Sequence, residues 1–523
     1  MLLLLIISSL VVYIVYSKFI KPALYWQKRG LFHVKPWTGF LNLIFGSNSF
    51  FEMIIEYYNR FPDRRYYGSY QFFMPALFVR DLDLIKLITV KDFDHFTDRI
   101  NIVNKKSDPV LGLNLFHLSG EKWRDMRSTL SPVFTSAKMR AMYTLMQDTA
   151  EHFVEYFLLD DNEVIELEMK NIFSKYTNDV IANCAFGIKC DSLNEENNEF
   201  YTMGLTVTTP SGRNAVRGVL AAFFPKVFEI LKIPVFSASV WTFFRNIITE
   251  TMSYREAENI IRPDMIHLLM EARKGRLKHE EEKTSDKDTG FATVEESHIG
   301  KSASKMELTD DVITAQALVF FLAGFETTST LLSFLSYELA LNPDVQSKLQ
   351  EEVDRATKGG SKKVSYEEIL GMKYLDQVVS EALRKYPGGF IVVRQCVKDY
   401  KIEAKRDNEK DFVVEKECLI TIPVAGIHRD PEYFPEPDRF DPDRFSEGNK
   451  NNRRPFTYLP FGEGPRNCIG LRFGLLQTKI ALVTVLRDYR VSLSPKTIVP
   501  LGVDPETFVL RNINRVYLLL DKV

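Results

Sequence analysis

The stretch Phe461-Gly-Glu-Gly-Pro-Arg-Asn-Cys-Ile-Gly470 places one cysteine inside a loop that also contains three glycines and an arginine. Glycine lacks a Cβ atom and tolerates positive φ, so this loop can turn tightly and approach a flat molecule closely. The apolar run 471–485 predicts a helix directly after the loop, and the amino-terminal end of a helix favours an anion. A Cys468 thiolate that accepts amide hydrogen bonds near Arg466 would stay deprotonated and could bind a metal ion.

The simplest structural interpretation of this loop is a turn that contains one buried cysteine. A single cysteine is most often a small buried apolar side chain, and a glycine-rich loop before a helix is often only a turn. The complete spacing Phe461-x-x-Gly464-x-Arg466-x-Cys468-x-Gly470 is more specific, and it resembles the haem-binding signature of the cytochrome P450 family. The resemblance implies haem b as the cofactor, with Cys468 as the axial thiolate ligand and Phe461 beside it. In this family the thiolate donates electron density to haem iron and favours cleavage of the O–O bond.

Length alone would suggest two or three domains, but we expect one large catalytic domain because the resemblance spans most of the chain. The chain has 523 residues, of which 45% are hydrophobic and 12% aromatic, and no Gly/Ser-rich or Pro-rich linker divides it. Its formal net charge of −2 gives no indication of a nucleic-acid partner. The five cysteines are scattered and odd in number, so they predict a reducing, cytosol-facing location and no disulfide framework.

The amino terminus predicts a membrane anchor over residues 1–20. Residues 1–16 are apolar apart from two serines, and basic residues begin at Lys18. A cleaved secretory signal, the alternative, would normally carry positive charge before its apolar stretch, and none precedes Leu2. The positive-inside rule then puts the rest of the chain in the cytosol. We expect a linker at 21–49 and a catalytic domain at 50–523, held on the endoplasmic reticulum membrane like microsomal members of the family.

The resemblance implies a mainly α fold with small β-sheets, and local patterns agree with it. Residues 50–61 have helical spacing, and residues 66–80 alternate as a strand pair does. Segment 151–187 predicts a further helix. Segment 200–236 is apolar, aromatic and interrupted by prolines, so it predicts a mobile lid or packed core. Charged and small polar residues dominate 274–305, which predicts a solvated loop.

The longest predicted helix runs from Thr309 to the stop at Asn342-Pro343 and is apolar around its circumference, so it must be buried. Its middle nevertheless contains Gly324, Glu326 and Thr327. A buried threonine in a helix usually bonds only to its own backbone. This stretch resembles the oxygen-binding kink of the P450 monooxygenases. The resemblance implies that Gly324 leaves room beside iron and that Glu326 and Thr327 relay protons.

Four residues match the family's partners of the haem propionates. Trp123 and Arg127 lie four apart on one face of a predicted helix, and Arg394 lies in an extended run. Without the resemblance, Arg127 would be interpreted as an ordinary solvated arginine. In the family the matching tryptophan and arginine bind one propionate, and Arg394 and Arg466 match further ligands, since a guanidinium suits a carboxylate.

An acid and an arginine, Glu381 and Arg384, are spaced as a helical ion pair, which is usually a weak surface feature. Together with Arg444 they resemble the family's buried Glu-Arg-Arg network, which fixes the segment that carries the haem loop. The sequence departs from the family at Gly388-Gly389, where a second proline and bulky apolar residues are usual. These positions line the substrate pocket in the family, so its shape cannot be carried over.

The resemblance covers roughly residue 50 to the carboxyl end and implies a haem-thiolate monooxygenase like insect detoxification members. Such an enzyme inserts one oxygen atom of O2 into a lipophilic substrate, with insect hormones, xenobiotics and insecticides as suitable classes. Electrons would come from NADPH through NADPH-cytochrome P450 reductase, with cytochrome b5 as a second candidate donor. The expected docking face carries positive charge at Lys122, Arg124, Lys138, Arg454 and Arg472.

Two other functions stay open at this point. One is a haem-thiolate isomerase or dehydratase that needs no reductase, although such enzymes tend to lack the acid and alcohol pair seen at Glu326 and Thr327. The other is a haem-binding sensor or carrier without turnover, because similarity of fold does not by itself establish activity.

Overall fold

The structure, a computed structural model, describes residues 8–9, 12–13, 16–35, 48–71, 74–100, 108, 111–195, 197–209, 216–218, 220–221, 224–276, 306–360, 362–406, 409–450, 453–505 and 510–523. Within these residues the fold is mainly helical with three small sheets, as expected. Most of the expected anchor at 1–20 lies outside the described residues. The expected solvated loop lies outside them beyond Arg276.

Helices make up most of the described chain. The numbered α-helices are α1 Phe50–Arg60, α2 Leu82–Lys86, α3 Gly120–Leu130, α4 Ser136–Leu158, α5 Met169–Ile181, α6 Glu199–Thr208, α7 Pro225–Leu231, α8 Ala238–Glu258, α9 Met265–Arg273, α10 Asp310–Leu341, α11 Pro343–Thr357, α12 Tyr366–Gly371, α13 Lys373–Lys385, α14 Val424–His428 and α15 Leu471–Asp488. Short helical turns occur at Tyr16–Ile20, Lys21–Ala23, Tyr25–Lys28, Leu87–Lys91, Phe93–His95, Leu111–Leu113, Ser131–Phe134, Ala182–Phe186, Pro442–Phe445 and Glu447–Lys450.

The central element is α10. The Thr309 side chain caps it by accepting a hydrogen bond from Val312 N, and Asn342-Pro343 ends it, as the sequence predicts. Helices α5, α8 and α15 pack around it, which explains why its whole circumference is apolar. Of the described helices, α10 alone is long and apolar enough to cross a bilayer, and 67% of its most apolar window is buried inside the protein.

The strands are β1 Tyr66–Gln71, β2 Met74–Val79, β3 Val164–Glu168, β4 Val392–Gln395, β5 Tyr400–Ile402, β6 Phe412–Val414, β7 Leu419–Ile422, β8 Tyr489–Leu493 and β9 Tyr517–Lys522. They form a four-stranded sheet in the order β1-β2-β7-β4, a three-stranded sheet in the order β3-β9-β8, and the pair β5-β6. The first sheet is mixed, because β2 and β7 are parallel and the other pairs antiparallel. Strand β4 carries Arg394 from this sheet toward the cavity described below.

Segment 151–187 differs from the single helix that we predicted. Helix α4 ends at Leu158, and β3 precedes α5. The sequence Val164-Ile-Glu-Leu-Glu alternates, and its residues pair with β9 from Tyr517 to Asp521. This pairing partner lies at the far end of the chain, so the local pattern could not reveal it.

Residues 21–35, expected as part of a linker, pack on the first sheet. Trp26 is fully buried, and its Nε1 donates a hydrogen bond of 2.8 Å to Ser69 O. Gly68 makes this possible, because a Cβ atom there would lie 2.6 Å from the Trp26 ring. Tyr70 Oη also donates to Ala23 O at 2.8 Å. Part of the expected linker therefore packs against the same sheet as the residues that follow it.

Candidate active site

A cavity of about 550 Å³ lies between α10 and the start of α15, and it brings together most of the predicted site residues. Cys468 is exposed although it lies deep in the protein, because its sulfur faces this cavity. Aliphatic and aromatic side chains form much of the wall: Leu115, Phe134, Ile181, Phe320, Leu331 and Ile391. Phe461, Gly324 and Thr327 also line it. A cavity of this kind suits a lipophilic molecule.

The loop around Cys468 is held by turns that require glycine. Gly462 and Gly464 have φ of 72° and 73°, in the left-handed region that residues with a Cβ atom rarely adopt. In addition, a Cβ atom at position 464 would collide with Thr89 O. Cys468 N donates to Phe461 O at 2.9 Å, which closes the loop on itself. The glycines therefore set the position of the sulfur.

The electrostatics of Cys468 differ in one respect from our prediction. Burial raises the pKa of the thiol, and the Gly470 amide with the Arg127 and Arg99 cations counteracts only part of that rise. Arg466, expected to favour the thiolate, instead donates to Phe116 O and Leu118 O. A metal ion deprotonates a thiol that coordinates it. A bound metal would therefore favour the thiolate together with the Gly470 amide and the Arg127 and Arg99 cations.

Four guanidinium groups, those of Arg99, Arg127, Arg394 and Arg466, line the cavity. Arg466 Cζ lies 4.5 Å from the centroid of the Trp123 ring, so the predicted tryptophan supports this arginine by cation–π contact. Arg127 donates to Asn467 O at 3.0 Å and to Asn467 Oδ1 at 2.6 Å. Arg99 donates to Arg466 O at 3.2 Å. The cluster is therefore tied to the cysteine loop.

These cations fit a ligand with carboxylates. Burial, together with repulsion from neighbouring guanidinium groups, lowers the pKa of Arg394 to about 9 and that of Arg466 to about 8. The Nε atoms of both side chains are buried and have no hydrogen-bond partner in the described parts of the chain. Buried donors and charges require partners, and the two propionates of haem would supply them. The residues present therefore fit haem, and Cys468 on the cavity surface is the residue that could ligate it.

Helix α10 presents Gly324 and Thr327 to the cavity. Thr327 is exposed there, and its Oγ1 donates to Ala323 O at 2.6 Å, the back-bond that the sequence suggested. Gly324 has a second reason to lack a side chain, since a Cβ atom would lie 2.8 Å from Ile181 Cδ1. Packing between α10 and α5 thus requires this glycine independently of any ligand.

Glu326, predicted to act with Thr327, does not line the cavity. Its carboxylate lies 3.2 Å from Lys170 Nζ and 3.1 Å from Arg511 Nη2. Burial raises the pKa of Glu326, but attraction to Lys170 and Arg511 outweighs it and leaves the pKa below the ordinary value. Adjacent residues on a helix point in different directions, which explains why Thr327 faces the cavity and Glu326 the neighbouring elements.

The structure brings Glu381, Arg384 and Arg444 together as predicted. Glu381 and Arg384 are both fully buried, with Arg384 Nε 2.7 Å from Glu381 Oε2. Arg444 Nε lies 3.5 Å from Glu381 Oε1. Arg384 also donates to the carbonyl oxygens of His428 at 2.9 Å and Pro437 at 2.8 Å. The network therefore joins α13 to the segments before the cysteine loop.

Gly388 and Gly389 both line the cavity, at the position where the sequence departs from the family. A Cβ atom at Gly388 would lie 3.5 Å from Thr327 Cβ, an ordinary contact, whereas one at Gly389 would meet nothing within 4 Å. The pair therefore leaves open space beside Thr327.

Only some of the basic side chains that we expected on the docking face are exposed. Lys122 and Arg454 are exposed, and Lys138 is partly buried. Arg124 lies 2.5 Å from Asp94 Oδ1 and 3.5 Å from Glu121 Oε1, so two carboxylates offset its charge. Arg472 donates to Phe134 O at 3.3 Å and is partly buried.

Sequence reasoning missed several residues around the site. Arg99 lies outside the motifs identified in the sequence, and no periodicity marks it. Lys170 and Arg511, which hold Glu326, come from positions 156 and 185 residues away. No pattern within one segment could have indicated these contacts.

Comparisons with known proteins agree with this geometry. The sequence model of the family described as Cytochrome P450 matches residues 33–519. "Cytochrome P450 9e2" of Blattella germanica is 42% identical over 502 residues, which cover 92% of this chain and 91% of the relative. "Probable cytochrome P450 9f2" of Drosophila melanogaster is 40% identical over 499 residues, 93% and 92% of the two chains. "Cytochrome P450 6k1" of Blattella germanica is 38% identical over 491 residues, 93% and 90%.

Proposed function

The chain belongs to the cytochrome P450 family of haem-dependent monooxygenases, and from this premise we propose that it oxygenates a lipophilic substrate with electrons from NADPH. The observation that carries the proposal is one cavity that exposes the Cys468 sulfur, the Thr327 hydroxyl and four guanidinium groups within an otherwise largely apolar wall. Bound haem would supply the activation of oxygen, for which a cysteine thiolate provides electron density.

The proposed role of the arginines is to hold and orient haem. Arg394 and Arg466 have unused Nε donors, and Arg99 and Arg127 add positive charge at the same end of the cavity. Planar guanidinium groups bind carboxylates with defined geometry. Trp123 keeps Arg466 in place through the contact with its ring. This arrangement would fix the cofactor with Cys468 on one of its faces.

We propose that Thr327 and Glu326 take part in proton transfer during the reaction. The Thr327 hydroxyl lies on the cavity surface and can both accept and donate a hydrogen bond there. Glu326 is held as a carboxylate by Lys170 and Arg511. An ionised carboxylate carries no proton, so Glu326 would first have to take one up from solvent and then deliver it toward Thr327 through a bridging water. Thr327 is the residue whose loss would act directly on the reaction.

The substrate class follows from the wall of the cavity. Its aliphatic and aromatic side chains favour apolar molecules, and the space beside Gly389 favours bulky ones. Insect hormones, xenobiotics and insecticides have this character. We further propose that NADPH-cytochrome P450 reductase supplies electrons, with cytochrome b5 as a second donor, at the endoplasmic reticulum membrane with the catalytic domain in the cytosol.

The proposal is tested by turnover with labelled oxygen. The full chain is combined with lipid, the reductase, NADPH, a panel of lipophilic molecules and 18O2, and the product is weighed by mass spectrometry. We expect one 18O atom in the product. Thr327→Val should keep consuming NADPH while yielding less product, because the hydroxyl no longer assists proton transfer.

Thr314→Val is the matched control for this experiment. Thr314 Oγ1 donates to Asp310 O at 2.8 Å on the same helix, but Thr314 does not line the cavity. The control should therefore match wild type. Product that forms without 18O or without NADPH would favour the isomerase or dehydratase, and haem binding without any product across the panel would favour the sensor.

Docking of the reductase is tested separately. Lys122→Glu combined with Arg454→Glu should slow reduction at low salt while haem content stays unchanged, because exposed charges steer association. Lys416→Glu, an exposed lysine in the turn between β6 and β7, is the control. Equal reduction rates in both variants would exclude the proposed docking face.

A further inference from the structure

A buried histidine, His428, lies between the Glu381 and Arg384 pair and the cysteine loop. It is the last residue of α14 and is fully buried. Its Nδ1 lies 3.2 Å from Arg384 O, and its Nε2 lies 2.7 Å from Leu459 N. Arg384 in turn donates to His428 O at 2.9 Å. The imidazole thus contacts the two segments on either side of it at hydrogen-bond distance.

The two partners assign one tautomer to His428. A main-chain carbonyl can only accept, so Nδ1 must carry the hydrogen that it donates to Arg384 O. A main-chain amide can only donate, so Nε2 must be the unprotonated acceptor of the Leu459 hydrogen. The cations of Arg384 and Arg429 and the buried position all favour this neutral form. A protonated ring would turn a donor toward a donor and break the contact with Leu459.

Two further main-chain hydrogen bonds connect Leu459 to the loop that contains Cys468. Gly462 N donates to Leu459 O at 3.1 Å, and Cys468 N donates to Phe461 O at 2.9 Å. Pro460 and Phe461, which follow Leu459, already line the cavity. The His428 ring also stacks on Tyr458, with centroids 5.3 Å apart at 24°. One imidazole therefore touches both residues that enter the loop.

We propose that His428 is a positioning residue for the cysteine ligand: its neutral ring holds Leu459 and so fixes the loop that presents Cys468. This inference rests on the proposed role of Cys468 as the haem ligand. It differs from general stabilisation in one respect. Loss of the Leu459 contact should alter how the sulfur meets the metal in molecules that still fold and bind haem.

Three substitutions separate the contributions of the two ring nitrogens. His428→Gln places an amide oxygen about as far along the side chain as Nε2, so it can still accept from Leu459. His428→Asn reaches only as far as Nδ1, and His428→Leu offers no polar atom. The glutamine variant should therefore rescue what the asparagine and leucine variants lose.

Two measurements are made on the full-length holoprotein. Hydrogen exchange of a peptide that contains Leu459 reports the contact itself, and we expect about tenfold faster exchange in His428→Asn and His428→Leu than in wild type and His428→Gln. The absorption spectrum of the reduced protein with carbon monoxide, at equal haem content, reports the ligand. The asparagine and leucine variants should lose part of the red-shifted Soret band of thiolate-ligated haem, and the glutamine variant should keep it.

The inference is overturned if all three variants keep wild-type exchange and the wild-type band. If His428→Leu does not fold, the comparison of asparagine with glutamine decides, and equal behaviour of those two also overturns it. A wild-type protein that lacks the red-shifted band would instead contradict the ligand role of Cys468. In that case exchange at Leu459 still tests the hydrogen bond to His428, so the two failures are distinguishable.

Discussion

Removal of the Arg384 side chain should destabilise the protein severely. In Arg384→Ala, Glu381 stays fully buried, and its remaining partners among the described residues are Asp441 N at 2.9 Å and Arg444 Nε at 3.5 Å. Breaking one partner of a buried ion pair costs about 3 to 5 kcal/mol. The carbonyl oxygens of His428 and Pro437 also lose a donor, at about 1 kcal/mol each. The total approaches the whole stability of a typical domain, about 5 to 15 kcal/mol.

The assay compares this variant with Arg245→Ala. Arg245 pairs with Asp311 at 3.0 Å, but the two side chains are 56% and 48% exposed. An exposed pair contributes about 0 to 1 kcal/mol, so the same substitution there should change little. Urea titration followed by tryptophan fluorescence gives the shift in midpoint, and haem absorbance gives the loaded fraction.

We expect Arg384→Ala to unfold at much lower urea and to be largely free of haem, and Arg245→Ala to behave as wild type. Soluble, fully haem-loaded Arg384→Ala with a wild-type midpoint would refute the reasoning, because a fully buried carboxylate would then have lost its main cation at no cost.

Three further predictions concern the same site. Burial and the Arg384 and Arg429 cations lower the pKa of His428 to about 3, so the unfolded chain binds a proton below about pH 6.5 that the folded protein does not. Because of this residue, the free energy of unfolding should then fall by about 1.4 kcal/mol per pH unit from about pH 6.5 toward about pH 3. In this pH range, the free energy of unfolding should depend less steeply on pH in His428→Gln than in the control His152→Gln. Gly464→Ala should abolish haem binding, because φ is 73° and a Cβ atom would collide with Thr89 O. Gly120→Ala is the control: φ is 56°, and a Cβ atom there would have no atom within 4 Å. The control should still bind haem in a titration. Gly389→Val should keep haem and weaken bulky ligands more than small ones in spectral titrations, since its Cβ fills open cavity, and equal weakening of both would contradict this.

Much of the fold could be predicted because the decisive patterns are local. Thr309, the apolar run after it and Asn342-Pro343 define α10 within one continuous segment. The cysteine loop could be predicted for the same reason, since its glycines are needed within ten residues of each other. The predicted Glu381 and Arg384 pair lies within one helical turn.

The remaining features depend on contacts between distant segments. Strand β3 forms because it pairs with β9. Its short alternating sequence alone does not outweigh the helical patterns on either side of it. Glu326 faces away from the cavity because of its place on α10, where Lys170 and Arg511 pair with it. His428 acquires its role only when Arg384 and Leu459 lie on either side. Electrostatics and packing between elements decide such details.

The most direct test of the account is the absorption spectrum of the reduced protein with carbon monoxide, recorded for wild type, Cys468→Ala and Cys190→Ala. Cys468 is the cysteine on the cavity surface, whereas Cys190 is partly buried against the core and does not line the cavity. We predict the red-shifted Soret band of thiolate-ligated haem in wild type and Cys190→Ala and its loss in Cys468→Ala. An unshifted band in wild type, or a red-shifted band that persists in Cys468→Ala, would contradict the assignment of Cys468 as the haem ligand.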